Sequence, residues 1–156
     1  MRVLGIDPGY DRCGISILEK VGGKESIIIS ECIETSPKDL FEDRLVVIGR
    51  RVRSFIADYN PESLSIEKLY FNTNQKTAMH VAEARGVLLF TAREAGLSIS
   101  EYTPGQIKVA ITGHGAADKR QVIDMLRRLV RIDHEIRHDD EWDAIAVALT
   151  HLAHVR

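Results

Sequence analysis

Two apolar segments of this chain each end in an acidic residue. Residues 2–7 end at Asp7, immediately before a Pro-Gly pair that does not easily continue a regular strand. Residues 63–67 form a second short segment of this kind and end at Glu67. A helical crossover between the two segments would make them parallel strands, so both acids would emerge at the same edge of one sheet. The sequence therefore predicts that Asp7 and Glu67 lie close together.

The rest of the chain alternates between strand and helix patterns. Residues 14–18 and 26–33 are rich in β-branched side chains, and the Gly-Gly pair between them indicates a hairpin. Apolar residues at spacings of three and four predict an amphipathic helix over 39–59. The later segments are, in order, a helix over 74–95, a strand over 97–102, a short helix over 104–108, a helix over 119–129 and a last helix that starts near residue 140. This order predicts an α/β fold with a five-stranded mixed sheet, in which three antiparallel strands are followed by parallel ones and helices flank the sheet.

Length and composition predict a single domain over residues 1–156. The hydrophobic fraction of 44% is sufficient for a core, and no window approaches the roughly 18 apolar residues needed to span a bilayer. We expect a cytoplasmic protein without a membrane partner. The net charge of −2 is unevenly spread, because residues 76–131 hold nine Lys or Arg and five Asp or Glu, which is +4, and leave −6 for the remainder. This segregation favours a basic surface beside an acidic pocket.

The start of the last helix supplies two further acids. Asp140 and Asp143 are three residues apart, which predicts that both carboxylates share one helix face, and the helix N-terminus favours negative charge there. If this helix packs over the first strand, four carboxylates converge with Asp7 and Glu67. Such a cluster repels itself without cations, and its oxygen ligands suit Mg²⁺ or Mn²⁺. Two ions about 3.5–4 Å apart would support phosphodiester hydrolysis, so we predict that these four acids are both metal ligands and catalytic residues.

The two cysteines do not predict a metal site. Cys13 and Cys32 lie on different predicted strands, and neither has another Cys or His at ligand spacing along the chain. We interpret both as small buried thiols, without a disulfide.

Four motifs of this sequence occur together in the order and spacing typical of one nuclease family. They are Gly-Ile-Asp-Pro-Gly at 5–9, Ile-Glu at 66–67, Ala-Arg-Gly-Val at 84–87, and Asp-Ala-Ile-Ala-Val-Ala-Leu-Thr-His at 143–151. With these motifs the chain resembles the RuvC family of crossover junction endodeoxyribonucleases over essentially its full length. The resemblance implies a ribonuclease H-like fold, a homodimer, dependence on Mg²⁺, and symmetric nicking of two strands of a four-way Holliday junction in DNA recombination and repair. It also implies the RuvA and RuvB branch-migration proteins as partners.

The resemblance assigns roles to the acidic residues. Asp7 resembles the metal ligand of the first strand, Glu67 that of the fourth strand, and Asp143 that of the last helix. Asp140 resembles the fourth acid, although Asp139 or His138 could take this role. The three-residue offset from Asp143 favours Asp140, since the other two residues would point in different directions from the helix.

The resemblance also suggests DNA-binding residues. Lys108 and Lys119 resemble basic residues near the scissile phosphate, and each lies close to a helix start where a phosphate could approach. Tyr70 and Phe71 follow Glu67, and one of them, for which we choose Tyr70, resembles an aromatic residue that stacks on bases at the junction. Arg85 is assigned to DNA binding, with helix packing at the dimer contact as the alternative.

Two other functions fit parts of the same pattern. A junction-binding protein with a decayed site would keep the fold, but all four acids are present here. A ribonuclease H-like enzyme that cleaves RNA–DNA hybrids would share the early glycine-containing motif. An actin-like ATPase is disfavoured, because the chain is too short for the two lobes that such enzymes close around a nucleotide.

Overall fold

The computed structural model describes residues 1–69 and 75–155. Strands and helices alternate along these residues largely as the sequence predicts. In chain order they are β1 (Arg2–Asp7), β2 (Arg12–Val21), β3 (Lys24–Glu34), α1 (Phe41–Tyr59), β4 (Ser63–Glu67), α2 (Gln75–Glu94), β5 (Ser98–Tyr102), α3 (Pro104–Thr112), α4 (Lys119–Leu129) and α5 (Asp139–His154).

The strands form one mixed sheet of five in the order β3-β2-β1-β4-β5. The first three strands pair antiparallel, and β4 and β5 continue from β1 in parallel. The predicted fold class is therefore confirmed. In the parallel register Ile6 lies opposite Ile66, so β1 and β4 end next to each other. This register brings the ends at Asp7 and Glu67 to the same edge of the sheet.

Alternation along the strands divides the core into two layers. Leu4 and Ile6 of β1 face a cluster that α1 and α2 complete, whereas Val3 faces a cluster built largely from α3, α4 and α5. Side chains at odd positions of β1 therefore point toward α5. The same parity holds in β4, where Leu64 and Ile66 face α1 and α2. Both strand-terminal acids consequently lie on the α5 side of the sheet.

The hairpin of β2 and β3 is longer than the sequence predicted. Its ladder extends from the pair Arg12 and Glu34 to the pair Val21 and Lys24 around a turn at Gly22 and Gly23, both with positive φ. The prediction stopped at the apolar residues 14–18 and 26–33. The polar residues beyond them continue the strands because antiparallel backbone pairing does not depend on an apolar side chain.

The two short helices begin at capping boxes. Thr103 accepts a hydrogen bond from the backbone N–H of Gln106, and Asp118 accepts one from that of Gln121. Helix α3 extends past the predicted end at residue 108 and stops at Gly113, whose φ of 76° is readily adopted by glycine. None of the helices in the described parts of the chain has both the length and the apolar character needed to cross a membrane.

Candidate active site

Helix α5 packs unusually close to the sheet at two glycines. A Cβ at Gly5 would lie 2.2 Å from the carbonyl oxygen of Ala144, and a Cβ at Gly14 would lie 1.9 Å from that of Asp140. Hydroxyls add direct contacts, since Ser16 donates to Ala144 O at 3.0 Å and Ser65 donates to Val147 O at 2.7 Å. The small residues therefore let the first turns of α5 lie directly over the ends of β1 and β2.

The acids of β1, β4 and α5 repel one another in this arrangement. Burial raises the pKa of Asp7 to about 8, and the nearby charges of Asp143, Glu67 and Asp140 contribute to this rise. The pKa of Glu67 is raised by burial and by Asp143. Burial also raises the pKa of Asp143, against the opposing effect of Lys119. The charges of the other three predicted acids, Glu67, Asp140 and Asp143, thus all act on Asp7.

A lysine partly neutralises this cluster. Lys119 Nζ donates to Asp143 Oδ2 at 2.9 Å and lies 3.4 Å from Asp139 Oδ2. Lys119 and Lys108 also line a cavity of about 230 Å³ together with Glu67 and Asp143. Both predicted lysines therefore lie beside the acids, where an anionic phosphate could be bound next to a cation.

The fourth acid is oriented differently from the other three. Asp140 Oδ2 lies 3.3 Å from Arg12 Nε and 3.9 Å from Cys32 Sγ, so its carboxylate faces the β2–β3 hairpin, whereas Asp143 faces α4. Asp140 still raises the pKa of Asp7. The alternative Asp139 is 70% exposed. These positions favour Asp140 over Asp139 as the fourth acid.

Comparison with known proteins assigns the chain to a family. The sequence model of the family described as crossover junction endodeoxyribonuclease RuvC matches residues 3–151. This chain belongs to the RuvC family. The RuvC protein of Petrotoga mobilis is 43% identical over 97% of this chain and 93% of its own length. The RuvC protein of Thermosipho melanesiensis is also 43% identical, over 95% of this chain and 94% of its own.

Solved structures agree with the RuvC assignment. The Thermus thermophilus RuvC in complex with Holliday junction substrate superposes with a TM-score of 0.94 at 34% identity, covering 100% of this chain and 95% of that chain. The yeast mitochondrial Holliday junction resolvase Ydc2 has a TM-score of 0.72 at 13% identity, over 97% of this chain and 77% of its own. At that low identity, the second likeness shows the fold alone.

The donor chemistry of the RuvC-type cluster fits a divalent cation. Its side chains offer carboxylate oxygens, which are the ligands preferred by hard cations such as Mg²⁺ and Mn²⁺. Because burial and, to a smaller extent, repulsion between the acids raise the pKa of Asp7, Glu67 and Asp143, a cation among them would stabilise the charged forms. Asp7, Glu67 and Asp143 therefore remain the predicted ligands of such an ion.

The side chain of Arg85 is mostly buried and contacts the end of β4. Its guanidinium forms an ion pair with Glu101, and its Nε donates to the backbone carbonyl of Glu67 at 3.5 Å. Its side chain is only 14% exposed. These contacts favour support of the end of β4 over the predicted direct contact with DNA. The aromatic residues predicted to stack on bases, Tyr70 and Phe71, lie outside the described residues.

Two neighbours of Asp140 were missed by the sequence analysis. Arg12 was assigned no role, although it forms an ion pair with Asp140. Cys32 was interpreted as a buried thiol, but it is only half-buried and lies against Asp140, while Cys13 is fully buried as expected. Burial, followed by the charge of Asp140, raises the pKa of Cys32 to about 12. No periodicity could reveal these contacts, since they join residues more than 100 positions apart.

Proposed function

We propose that this protein is a structure-selective endonuclease that resolves Holliday junctions by metal-dependent hydrolysis. The observation that carries the proposal is that Asp7, at the end of β1, lies close enough to Glu67 and Asp143 for their charges to act on it, in a chain matched along nearly its whole length by RuvC. The relative from Thermus thermophilus was solved with a Holliday junction substrate. This support favours a junction over an RNA–DNA hybrid as the substrate.

The proposed reaction uses the acids as ligands and the lysines as phosphate contacts. Two Mg²⁺ ions, for which Mn²⁺ can substitute, would supply an activated water and stabilise the leaving oxygen. Asp7, Glu67, Asp140 and Asp143 are assigned to hold them. Lys119 already bonds to Asp143, so it is placed to bind a phosphate oxygen once cations neutralise that carboxylate.

DNA contacts beyond the cleaved phosphate involve several further residues. Lys108 lines the same cavity as Lys119 and is assigned to the DNA backbone. Tyr70 is proposed to stack on a base of the junction, as its position after Glu67 suggests. Arg85 is proposed to support this contact indirectly, through its bond to the carbonyl of Glu67.

The family relationship also suggests the oligomeric state, the protein partners and the cellular location of the enzyme. We propose that residues 1–156 form one nuclease domain, that it acts as a homodimer, and that each subunit cuts one of two symmetric strands. We also propose that the enzyme works with RuvA and RuvB and is located in the cytoplasm. A dimer fits the substrate because a four-way junction presents two equivalent cleavage positions, which a twofold assembly matches.

Replacement of one acid tests the proposed reaction. The variant Asp7→Asn keeps the size of the side chain but weakens the ligand, so cleavage of a synthetic four-way junction with Mg²⁺ should fall by about 1000-fold. Junction binding, measured by gel shift in Ca²⁺, should persist. The control Asp58→Asn changes an exposed acid of α1 on the opposite face of the sheet and should cleave normally.

The same assay separates the alternative functions. A wild-type protein that binds junctions but cuts none in Mg²⁺ or Mn²⁺ would be a junction-binding protein without catalysis. Faster cleavage of an RNA–DNA hybrid than of the junction, in parallel digests, would count against a resolvase. Equal activity of Asp7→Asn and wild type would overturn the assignment of the site.

A further inference from the structure

A thiol, an imidazole and a carboxylate meet beside the acidic cluster. Cys32 lies on β3, His138 precedes α5, and Asp140 lies in the first turn of α5. One possible ligand atom from each residue lies within 4.8 Å of the other two. Along the chain no His lies at ligand spacing from Cys32, and only the fold brings it to His138, 106 positions away. The cluster is thus a product of the packing of α5 on the hairpin.

These three ligand types suit a different cation from that of the carboxylate cluster. Sulfur and imidazole nitrogen are preferred by Zn²⁺, whereas Mg²⁺ favours oxygen. Zinc binds sulfur at about 2.3 Å and nitrogen or oxygen at about 2.0–2.2 Å, so its ligand atoms stand roughly 3.3–3.8 Å apart in a tetrahedron. The possible ligand atoms of Cys32, His138 and Asp140 lie within 4.8 Å of one another, so only a small inward movement of the side chains would bring them to these distances. All three residues are half-buried, which leaves them accessible to an ion from solvent.

Two charged side chains, one acidic and one basic, lie next to the three possible zinc ligands. Glu34 Oε1 lies 3.3 Å from His138 Nε2 and adds negative charge beside the imidazole. Arg12 lies 3.3 Å from Asp140 and opposes a cation, but its side chain is 53% exposed and free to turn into solvent. An incoming divalent ion can therefore replace the guanidinium as the partner of Asp140.

We propose that Cys32, His138 and Asp140 form a Zn²⁺ site that takes Asp140 away from the catalytic cluster. Binding replaces the thiol proton of Cys32 by a Zn–S bond and releases that proton to solvent. Asp140 serves both sites, so zinc bound here opposes the Mg²⁺-dependent reaction. The binding site stands on its own geometry, whereas the inhibition rests on the proposed nuclease function.

Cobalt absorption tests the zinc site directly. Co²⁺ bound by a thiolate gives a near-ultraviolet charge-transfer band, which we expect in the intact wild-type protein and which Zn²⁺ should abolish by displacement. Cys32→Ser should remove the band, and Cys13→Ala, which alters the fully buried thiol, should keep it. His138→Gln should weaken Co²⁺ binding by about 10- to 100-fold, since the loss of a direct ligand costs at least as much as the loss of a second-sphere partner.

The outcomes separate the zinc site from the nuclease proposal. A wild-type protein without a thiolate band, or a Cys32→Ser variant that retains it, would overturn the site. Zinc should inhibit junction cleavage by wild type in excess Mg²⁺ and should inhibit Cys32→Ser far less, each relative to its own zinc-free rate. Equal inhibition of both proteins would refute the link to Asp140. Absence of any cleavage without zinc would instead refute the nuclease, while the cobalt band would still support the site.

Discussion

Among single residues, Asp7 determines how the site responds to pH. It is held at the end of β1 beneath α5, where burial and three neighbouring acids raise its pKa from 3.8 to about 8. In a protein without a bound cation, Asp7 therefore keeps its proton at a pH where most carboxyls have lost theirs. A divalent cation reverses this preference, because it stabilises the carboxylate.

The raised pKa of Asp7 predicts that the metal-free protein loses stability as pH rises. A carboxyl whose pKa is higher in the folded state contributes stability that is complete below the unfolded pKa and disappears as pH rises through the folded pKa. With chelator present, the wild-type Tm should therefore fall between about pH 5 and about pH 8.5, by an amount that thermal unfolding measures. Asp7→Asn removes this titration and should show a smaller fall.

Cation binding provides the control for this pH effect. Addition of Mg²⁺ at the higher pH should raise the Tm of wild type more than that of Asp7→Asn, because only wild type retains the repelled carboxylate. A Tm that falls equally with pH in both proteins would show that Asp7 does not dominate the titration.

Lys119 is predicted to act on the phosphate and not through the metal. It competes with a cation for Asp143, at 2.9 Å, so Lys119→Ala should bind Mn²⁺ at least as tightly as wild type. Single-turnover cleavage should nevertheless fall by about 100-fold, since a cationic contact to the reacting phosphate is lost. Electron paramagnetic resonance of free Mn²⁺ measures the first effect and junction cleavage the second.

The neighbouring arginine is the matched control for Lys119. Arg120 is on the same helix, is 91% exposed and pairs only weakly, at 4.0 Å, with Asp124. Arg120→Ala should leave both measurements near wild type. If Lys119→Ala lost activity only in proportion to its loss of Mn²⁺ affinity, the lysine would be acting on the metal site.

Among the elements, the packing of α5 on the sheet holds the acids together. Gly5→Ala would place its Cβ 2.2 Å from Ala144 O and 2.6 Å from Ala148 Cβ, so the helix must move outward. We expect a loss of about 1–3 kcal/mol in the free energy of unfolding, as in other overpacked cores. The rate of junction cleavage should fall by more than the loss of folding stability accounts for, because Asp143 moves with α5. Urea unfolding and cleavage measured below the unfolding transition test both expectations.

A second glycine provides the comparison for α5. Gly86 lies in the middle of α2, where an added Cβ would meet no atom of the described residues within 4 Å. Gly86→Ala should therefore stabilise the monomeric fold by about 0.5–1 kcal/mol, because alanine is the better helix former. If Gly5→Ala lost no stability, or gained as much as Gly86→Ala, close helix packing would be unimportant at Gly5.

The elements also show what sequence periodicity can and cannot predict. The predicted parallel crossover was sufficient to place the ends of β1 and β4, with Asp7 and Glu67, at the same edge, because a parallel register fixes where both strands end. The helical spacing of Asp140 and Asp143 was less informative. Residues three apart differ by about 60° around a helix axis, and here that difference sends one carboxylate toward β2 and the other toward α4.

Contacts across long chain separations were beyond sequence reasoning. The pairing of Arg12 with Asp140 depends on how far α5 approaches the hairpin, and that approach is set by packing at Gly14. Arg85 illustrates the same limit, since the family resemblance assigned it to DNA, and no pattern along α2 predicts its contacts with Glu101 and the carbonyl of Glu67. The sequence pattern within one helix or strand does not predict such long-range contacts.

For the whole molecule, each subunit of the proposed dimer would supply one active site, whereas resolution of a junction requires two cuts. We therefore predict that mixed dimers of one wild-type and one Asp7→Asn subunit make only one cut. Differently tagged subunits can be coexpressed and purified as the mixed species. On a supercoiled plasmid with an extruded cruciform, wild-type dimers should yield linear DNA and mixed dimers nicked circles, because the inactive subunit leaves its strand intact. Dimers that pair wild type with Asp58→Asn should still linearise the plasmid. Linear DNA from the Asp7→Asn mixture, or a monomer in sedimentation on junction DNA, would contradict one cut per subunit.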